Sequence, residues 1–244
     1  MANLRAKHLI SLMVVSLWVQ VNGHPISDRL ANPEELGEYF EGDIVFNSRN
    51  AILKESRLWN NGIVPYVLDS SISASQAKIF ATAVAEYQKS TCIRWIIRTN
   101  QASYVRIFKG NGCYSYVGRL RESSSQKLSL SSGCWRLGTV IHEMMHAIGF
   151  YHEQSRYDRD DNVDVLFENI RDGKSRNFKK YSNTTIQHLD TRYDYGSIMH
   201  YSKYAFSKNG KPTMQPKDKS ASIGQRRGFS QNDILKINRL YKCQ

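Results

Sequence analysis

The sequence predicts an α+β fold: a first half of alternating strands and helices, then a largely irregular half closed by a terminal helix. Three observations carry that expectation. Apolar residues recur at helical spacing in two runs of the first half and one run at the C-terminus. Short β-branched and aromatic runs lie around the first two. Between Gly149 and Ser230 no such period is sustained.

The elements follow in order. "GIVPYVL" (62–68) reads as a strand. "SASQAKIFATAVAEYQKST" (73–91) reads as a helix, with Ser73 and Gln76 forming a capping box and Ile79, Phe80, Ala83, Val84 and Tyr87 sharing one face. "CIRWIIRT" alternates, with Ile93, Trp95 and Ile97 expected on the inner side, and "YVRIFKG" follows as another strand. "KLSLSSG" (127–133) is a shorter strand, and "GTVIHEMMHAIG" (138–149) is the central helix. In "SQNDILKINRLYKC" (230–243), Ser230 and Asp233 cap a helix with Ile234, Ile237, Leu240 and Tyr241 inward. A chain of 244 residues with 41% hydrophobic and 23% charged residues has ample material for a core, which excludes a disordered or fibrous protein.

The N-terminus follows a different logic. Arg5, Lys7 and His8 precede an apolar run from Leu9 to Val21 that ends at Gln20, Asn22 and Gly23. A basic start, a short apolar stretch and small residues describe a secretory signal peptide cleaved after Gly23, residues 1–23. The run is too short to span a bilayer, so the expected product is secreted and extracellular, with no membrane partner. In an oxidising compartment, Cys92, Cys113, Cys134 and Cys243 form two disulfides; their wide spacing disfavours structural zinc, and three connectivities remain open.

Charge divides the remainder. Residues 24–49 carry two basic and six acidic side chains, whereas residues 50–244 carry 30 basic and 16 acidic ones. An acidic leader on a basic body implies pairing in cis, and a freed body that favours acidic surfaces. Export makes nucleic acid an improbable partner for this charge. Arg49 before Asn50 offers a trypsin-like cut between leader and body.

The body's distinguishing stretch is "TVIHEMMHAIGFYHEQSR" (139–156). His142 and His146 are four apart and so share a helix face. Glu143 is rotated about 100° from His142 around the axis, able to reach a water without being a ligand. Gly149 suits a left-handed helix end, after which His152 supplies a third nitrogen. Three neutral imidazoles with one open position make a catalytic zinc site, one Zn2+ per chain. "DRDDNVDV" matches only the first ligands of a calcium loop; Val163 and Asn169 stand where glycine and glutamate belong, so an acidic turn is expected. Asn183-Thr184-Thr185 is a glycosylation sequon at Asn183.

"HEMMHAIGFYHEQSR" with "SIMHY" (197–201) downstream resembles the metzincin signature, in the form used by the astacin family of secreted zinc endopeptidases. "FEGD", "NAILKESRLW", "TCIRW", "CYSYVGR", "YDYGSIMHYSKYAF", "IGQR" and "LYKC" extend the resemblance over nearly the whole chain. It implies a two-subdomain metzincin fold: a twisted mixed sheet and long helices first, a mostly irregular C-terminal subdomain with a terminal helix second. It implies a zymogen, with an activation propeptide 24–49 and a catalytic domain 50–244.

By the same resemblance His142, His146 and His152 bind zinc, Glu143 is the general base, and Met199 lies beneath the metal. Tyr201 is a fifth ligand that swings away to stabilise the oxyanion, and Asp43 binds the zinc in the zymogen. Asn50 folds inward, once freed, to Glu153. The family pairs Cys92–Cys243 and Cys113–Cys134. Arg226 and Arg227 fall on the primed side of the cleft, where a guanidinium would select acidic residues. His188 and His200 are expected to be non-catalytic.

The expected activity is hydrolysis of extracellular proteins by a monomer that a trypsin-like protease activates. With Gln244 just past the last cysteine, no accessory module is expected, as in a digestive, hatching or venom-type enzyme. The alternative is a secreted basic binding protein with a vestigial zinc site.

Overall fold

In a computed structural model, residues 31–45, 55–120, 125–183 and 188–244 are described. The signal segment, the Arg49–Asn50 junction and the sequon's Thr184 and Thr185 lie outside them. A six-stranded sheet organises the first half, from β1 (Ile44–Val45), β2 (Ile63–Leu68), β3 (Arg94–Ile97), β4 (Val105–Phe108), β5 (Cys113–Tyr116) and β6 (Gln126–Leu130). Their order is β1-β5-β6-β4-β2-β3; β5 and β6 run antiparallel and every other pair is parallel. Register sets buried residues opposite one another, Val64 with Trp95 and Ile107 with Leu128.

Helices α1 (Ala74–Ser90) and α2 (Leu137–Ala147) pack on this sheet. The Ser73–Gln76 capping box forms, satisfying donors that the first turn would otherwise leave open. Phe80, Ala83 and Tyr87 are buried, and Tyr87 Oη donates to the Ile141 carbonyl at 3.0 Å, tying α1 to α2. Truncating Phe80 to alanine would cost about 3–5 kcal/mol.

The alternation in β3 breaks at its end. Ile93 and Trp95 are buried, but Ile97 is 74% exposed. β3 is the sheet's edge strand, and Ile97 is its last residue.

The second half has only one sheet among the described residues, the antiparallel pair β7 (Val163–Val165) and β8 (Met214–Pro216), set among 3-10 turns. Its own core gathers Val163, Ile170, Phe178, Tyr201, Ala205, Phe206 and Met214. The acidic turn at Asp158–Asp161 is paired with Arg156, Arg159 and Lys180, as a solvated turn and not a calcium loop would be.

The terminal helix α3 (Gln231–Leu240) closes the second half, as expected, and Ile237, with Leu240 and Tyr241 beside it, packs into the first half's core. Disulfides join Cys92 to Cys243, anchoring α3 beside β3, and Cys113 to Cys134.

Leader residues are built into both halves. β1 extends the sheet alongside β5, and Ser115 N–H donates to the Asp43 carbonyl at 2.9 Å. The preceding turn needs Gly42, whose φ of +92° is left-handed and whose added Cβ would lie 2.6 Å from the Glu34 carbonyl.

Candidate metal centre

Helix α2 carries His142, Glu143 and His146, all fully buried. The helix stops at Gly149, φ +116°, and the reversed chain brings His152 to the same point. Each imidazole is fixed through Nδ1. His142 donates to the Ile198 carbonyl at 2.8 Å, His146 to the Phe150 carbonyl at 2.6 Å, and His152 to Glu41 Oε2 at 2.6 Å. An Nδ1 proton leaves the Nε2 lone pair free to bind a metal.

The three Nε2 atoms converge on one carboxylate. Asp43 Oδ2 lies 3.0 Å from His142 and 3.3 Å from His152, and Oδ1 lies 3.5 Å from His146. His142 and His152 Nε2 are 3.3 Å apart. Ligand atoms at 2.0–2.1 Å from a tetrahedral ion are separated by roughly 3.3 Å, so this spacing fits zinc. His146 Nε2 and Asp43 Oδ1 are buried without a hydrogen-bond partner among the described residues. Facing acceptors with no donor between them call for a cation.

The buried groups shift one another's proton affinities. Burial, then Arg226, pushes His142 down to about 4. Burial opposes ionisation of His152 too, but the Asp43 and Glu41 carboxylates outweigh it and push that imidazole up to about 10. Asp43 is held well below the usual carboxylate range; its burial is overcome by His152 and His146. Glu143 is raised well above its ordinary value by burial, with Asp43 and Glu34 adding repulsion. Both its carboxylate oxygens lack hydrogen-bond partners among the described residues.

Met199 is buried in the first core, beneath a turn that the C-terminal helix fixes. Asp233 accepts from Ser197 Oγ at 2.6 Å and Ile198 N–H at 2.9 Å while capping α3 through Ser230 N–H at 2.9 Å. A helix cap thus positions the carbonyl that orients His142.

Tyr201 is buried with its ring 4.8 Å from that of His152. Its hydroxyl donates to the Glu41 carbonyl at 2.7 Å, so in this arrangement it is committed to the leader. Glu153 is held by Lys236, by Arg156 Nη1 at 3.2 Å and by Asp194 N–H at 3.0 Å; Asn50 lies outside the described residues.

Among the described residues, the leader's carboxylates each meet a partner. Glu34 pairs with Arg226 Nε; Glu35 accepts Ser202 N–H and Oγ–H, both at 2.6 Å; Glu38 accepts Lys174 Nζ at 2.6 Å. Burial works against ionisation of Glu34, but Arg226 overcomes it and lowers the carboxyl. Arg227 is exposed, and so is Asn183. Sequence reasoning assigned nothing to Glu41, Lys236 or Asp233 beyond a cap. Only the place of Glu41 inside "FEGD" could have flagged it, because its partners lie far off in sequence.

The fold and this donor set are those of a zinc metallopeptidase, with one zinc ion as the cofactor. The model of the Astacin peptidase family matches residues 51–242, and the chain belongs to that family. It is 49% identical over 195 residues to zinc metalloproteinase nas-15 of Caenorhabditis elegans, covering 80% of this chain and 34% of that protein. It is 42% identical over 216 residues to human meprin A subunit beta, covering 86% and 30% respectively. The chain therefore spans about a third of the length of these two relatives. Among solved structures, High choriolytic enzyme 1, a hatching enzyme zinc-protease from Oryzias latipes, aligns with TM-score 0.74 and 38% identity, covering 80% of this chain and all of that one. No helix among the described residues is long and apolar enough to cross a membrane.

Proposed function

We propose that this chain is a secreted zinc endopeptidase made as a latent precursor. Residues 1–23 direct export, residues 24–49 form the leader, and a trypsin-like cut after Arg49 frees the body, which acts as a monomer on extracellular proteins. The observation that carries this reading is the convergence of His142, His146 and His152 on Asp43, with Glu143 buried beside them. The leader supplies a carboxylate where substrate and solvent must enter.

His142, His146 and His152 would hold zinc through their Nε2 atoms, and the ion would supply Lewis acidity for the scissile carbonyl and the attacking water. Glu143, buried beside the imidazoles with both carboxylate oxygens unpartnered among the described residues, takes the proton of that water and passes it to the leaving amine. Departure of the leader removes Asp43 from the imidazoles and frees the Tyr201 hydroxyl from Glu41, available to donate to the developing oxyanion. Asn50, the new N-terminus, turns in toward Glu153. Arg226, relieved of Glu34, receives an acidic substrate side chain. The exposed Arg227 has no support for the same role beyond its neighbourhood.

The test is tryptic processing of purified full-length chain. Peptide hydrolysis should appear on processing and vanish with a chelator. The processed Glu143→Gln variant should retain zinc at one per chain and lose kcat/KM by on the order of 10²–10⁴. Normal hydrolysis by that variant would reject the assignment of Glu143, and intact binding without hydrolysis in the wild type would favour a basic binding protein.

A further inference from the structure

Glu41 spends all four of its polar atoms on the site. Its N–H donates to Asn177 Oδ1 at 3.1 Å and its carbonyl accepts Tyr201 Oη–H at 2.7 Å. Its Oε1 accepts Ser155 Oγ–H at 2.8 Å and its Oε2 accepts His152 Nδ1–H at 2.6 Å. The residue is fully buried, in a left-handed conformation, φ +50°, that non-glycine residues adopt rarely. A backbone held there by contacts at both ends delivers the carboxylate to one place.

The three imidazoles differ in what holds them from behind. His142 and His146 lean on the carbonyls of Ile198 and Phe150, which belong to the body. His152 leans on Glu41, which belongs to the leader. A carboxylate behind a ligating imidazole fixes the ring and strengthens it as a donor more than a neutral carbonyl does.

We propose that Glu41 is a positioning residue of the metal site that lasts only while the leader is attached: by holding His152 it makes the precursor grip zinc more tightly than the processed enzyme. Asp43 closes the site and Glu41 secures it, so metal is retained until processing. This inference rests on the leader being removed as proposed above.

The experiment measures zinc affinity by chelator competition in the full chain and after tryptic processing. Glu41→Gln should weaken zinc in the full chain by about 10–100-fold, the range for loss of such a partner. After processing, variant and wild type are the same polypeptide and must agree in affinity and activity, which proves that the variant body folded. Ser155→Ala, which removes the second anchor of the carboxylate, should weaken zinc in the full chain and leave the processed form unchanged. It carries the same comparison should the first variant fail to fold. Glu38→Gln, a leader carboxylate on the surface, should change neither form. A full-length Glu41→Gln chain that holds zinc within about twofold of wild type overturns the proposal, as does a Ser155→Ala loss equal in both forms. Failure of the wild type to gain hydrolysis on processing would instead sink the precursor reading, since the full-chain affinities are read without it.

Discussion

His142 and His146 can be set against His152 and Tyr201. Among the described residues, the first pair rides on helix α2 against a core of 23 buried residues; the second comes from turns at a core of seven, Tyr201 included. Helix geometry places the first two nitrogens almost without help. The polar ends of the second pair are placed by single contacts, two of them from the leader: Glu41 for His152 and the Glu41 carbonyl for the Tyr201 hydroxyl, with Gln154 Oε1 accepting the Tyr201 amide at 3.1 Å. The half with less apolar burial has less to hold it once those contacts go, and Glu35, Glu38 and Glu41 of the leader make their side-chain contacts there.

The largest effect is expected at the link between the halves. Asp233 joins α3 to the turn above Met199, and its removal leaves the buried Ser197 hydroxyl and Ile198 amide without an acceptor. Asp233→Ala should lose about 2 kcal/mol near pH 7.5 on that ground. The deficit should depend on pH. Burial, outweighing three hydrogen bonds and Lys236, pushes this carboxyl up to about 6. A folded value above the unfolded one means the stability it confers is full below about pH 4 and is lost as pH rises through 6. The deficit of Asp233→Ala should therefore grow by about 2 kcal/mol between pH 7.5 and pH 4.5. Denaturant midpoints of both proteins across that range check it; a constant difference would show that Asp233 stays ionised throughout.

The same contrast explains what could be read beforehand. Period and cap chemistry are local, so α1, α2 and α3 were legible within a residue or two, as were His142, Glu143 and His146. Nothing local announces that Asp233 reaches back to Ser197, that Lys236 is buried on Glu153, or that Glu41 meets His152, a contact spanning 111 residues. Tyr201 and Asp43 were legible only through family resemblance. Strand β5, as long as β3 and β4, buries Cys113, Tyr114 and Ser115 in succession and so shows no alternation, and β1 has only two residues. Four cysteines left three pairings open; resemblance selected one, and the same pairs are joined here.

A middle-sized effect is expected at Arg226, in the turn-built half. Its guanidinium is buried between Glu34 and the His200 carbonyl, the latter accepting from Nη1 at 3.0 Å. Arg226→Ala in the processed enzyme should lower kcat/KM for peptides acidic at the selected position by about 10–100-fold, as loss of a charged hydrogen-bonded pair does. Neutral peptides, which make no such pair, should change by less than about threefold. Equal losses on both would make Arg226 a structural residue of the turn. Arg226→Lys should recover only part of the preference, because an ammonium keeps the charge and loses the fork.

The smallest effect tests the regular half, where pattern reading misplaced one residue. Alternation put Ile97 inward with Ile93 and Trp95, but as the last residue of the edge strand it is 74% exposed. Ile97→Lys should therefore change stability by no more than about 0.5 kcal/mol, whereas Trp95→Ala, two residues away on the buried face, should cost about 3–5 kcal/mol. Thermal unfolding of the two variants, each against wild type, makes the comparison. A loss at position 97 above about 1.5 kcal/mol would mean that apolar surface there is covered after all, since that is the scale on which a buried isoleucine counts.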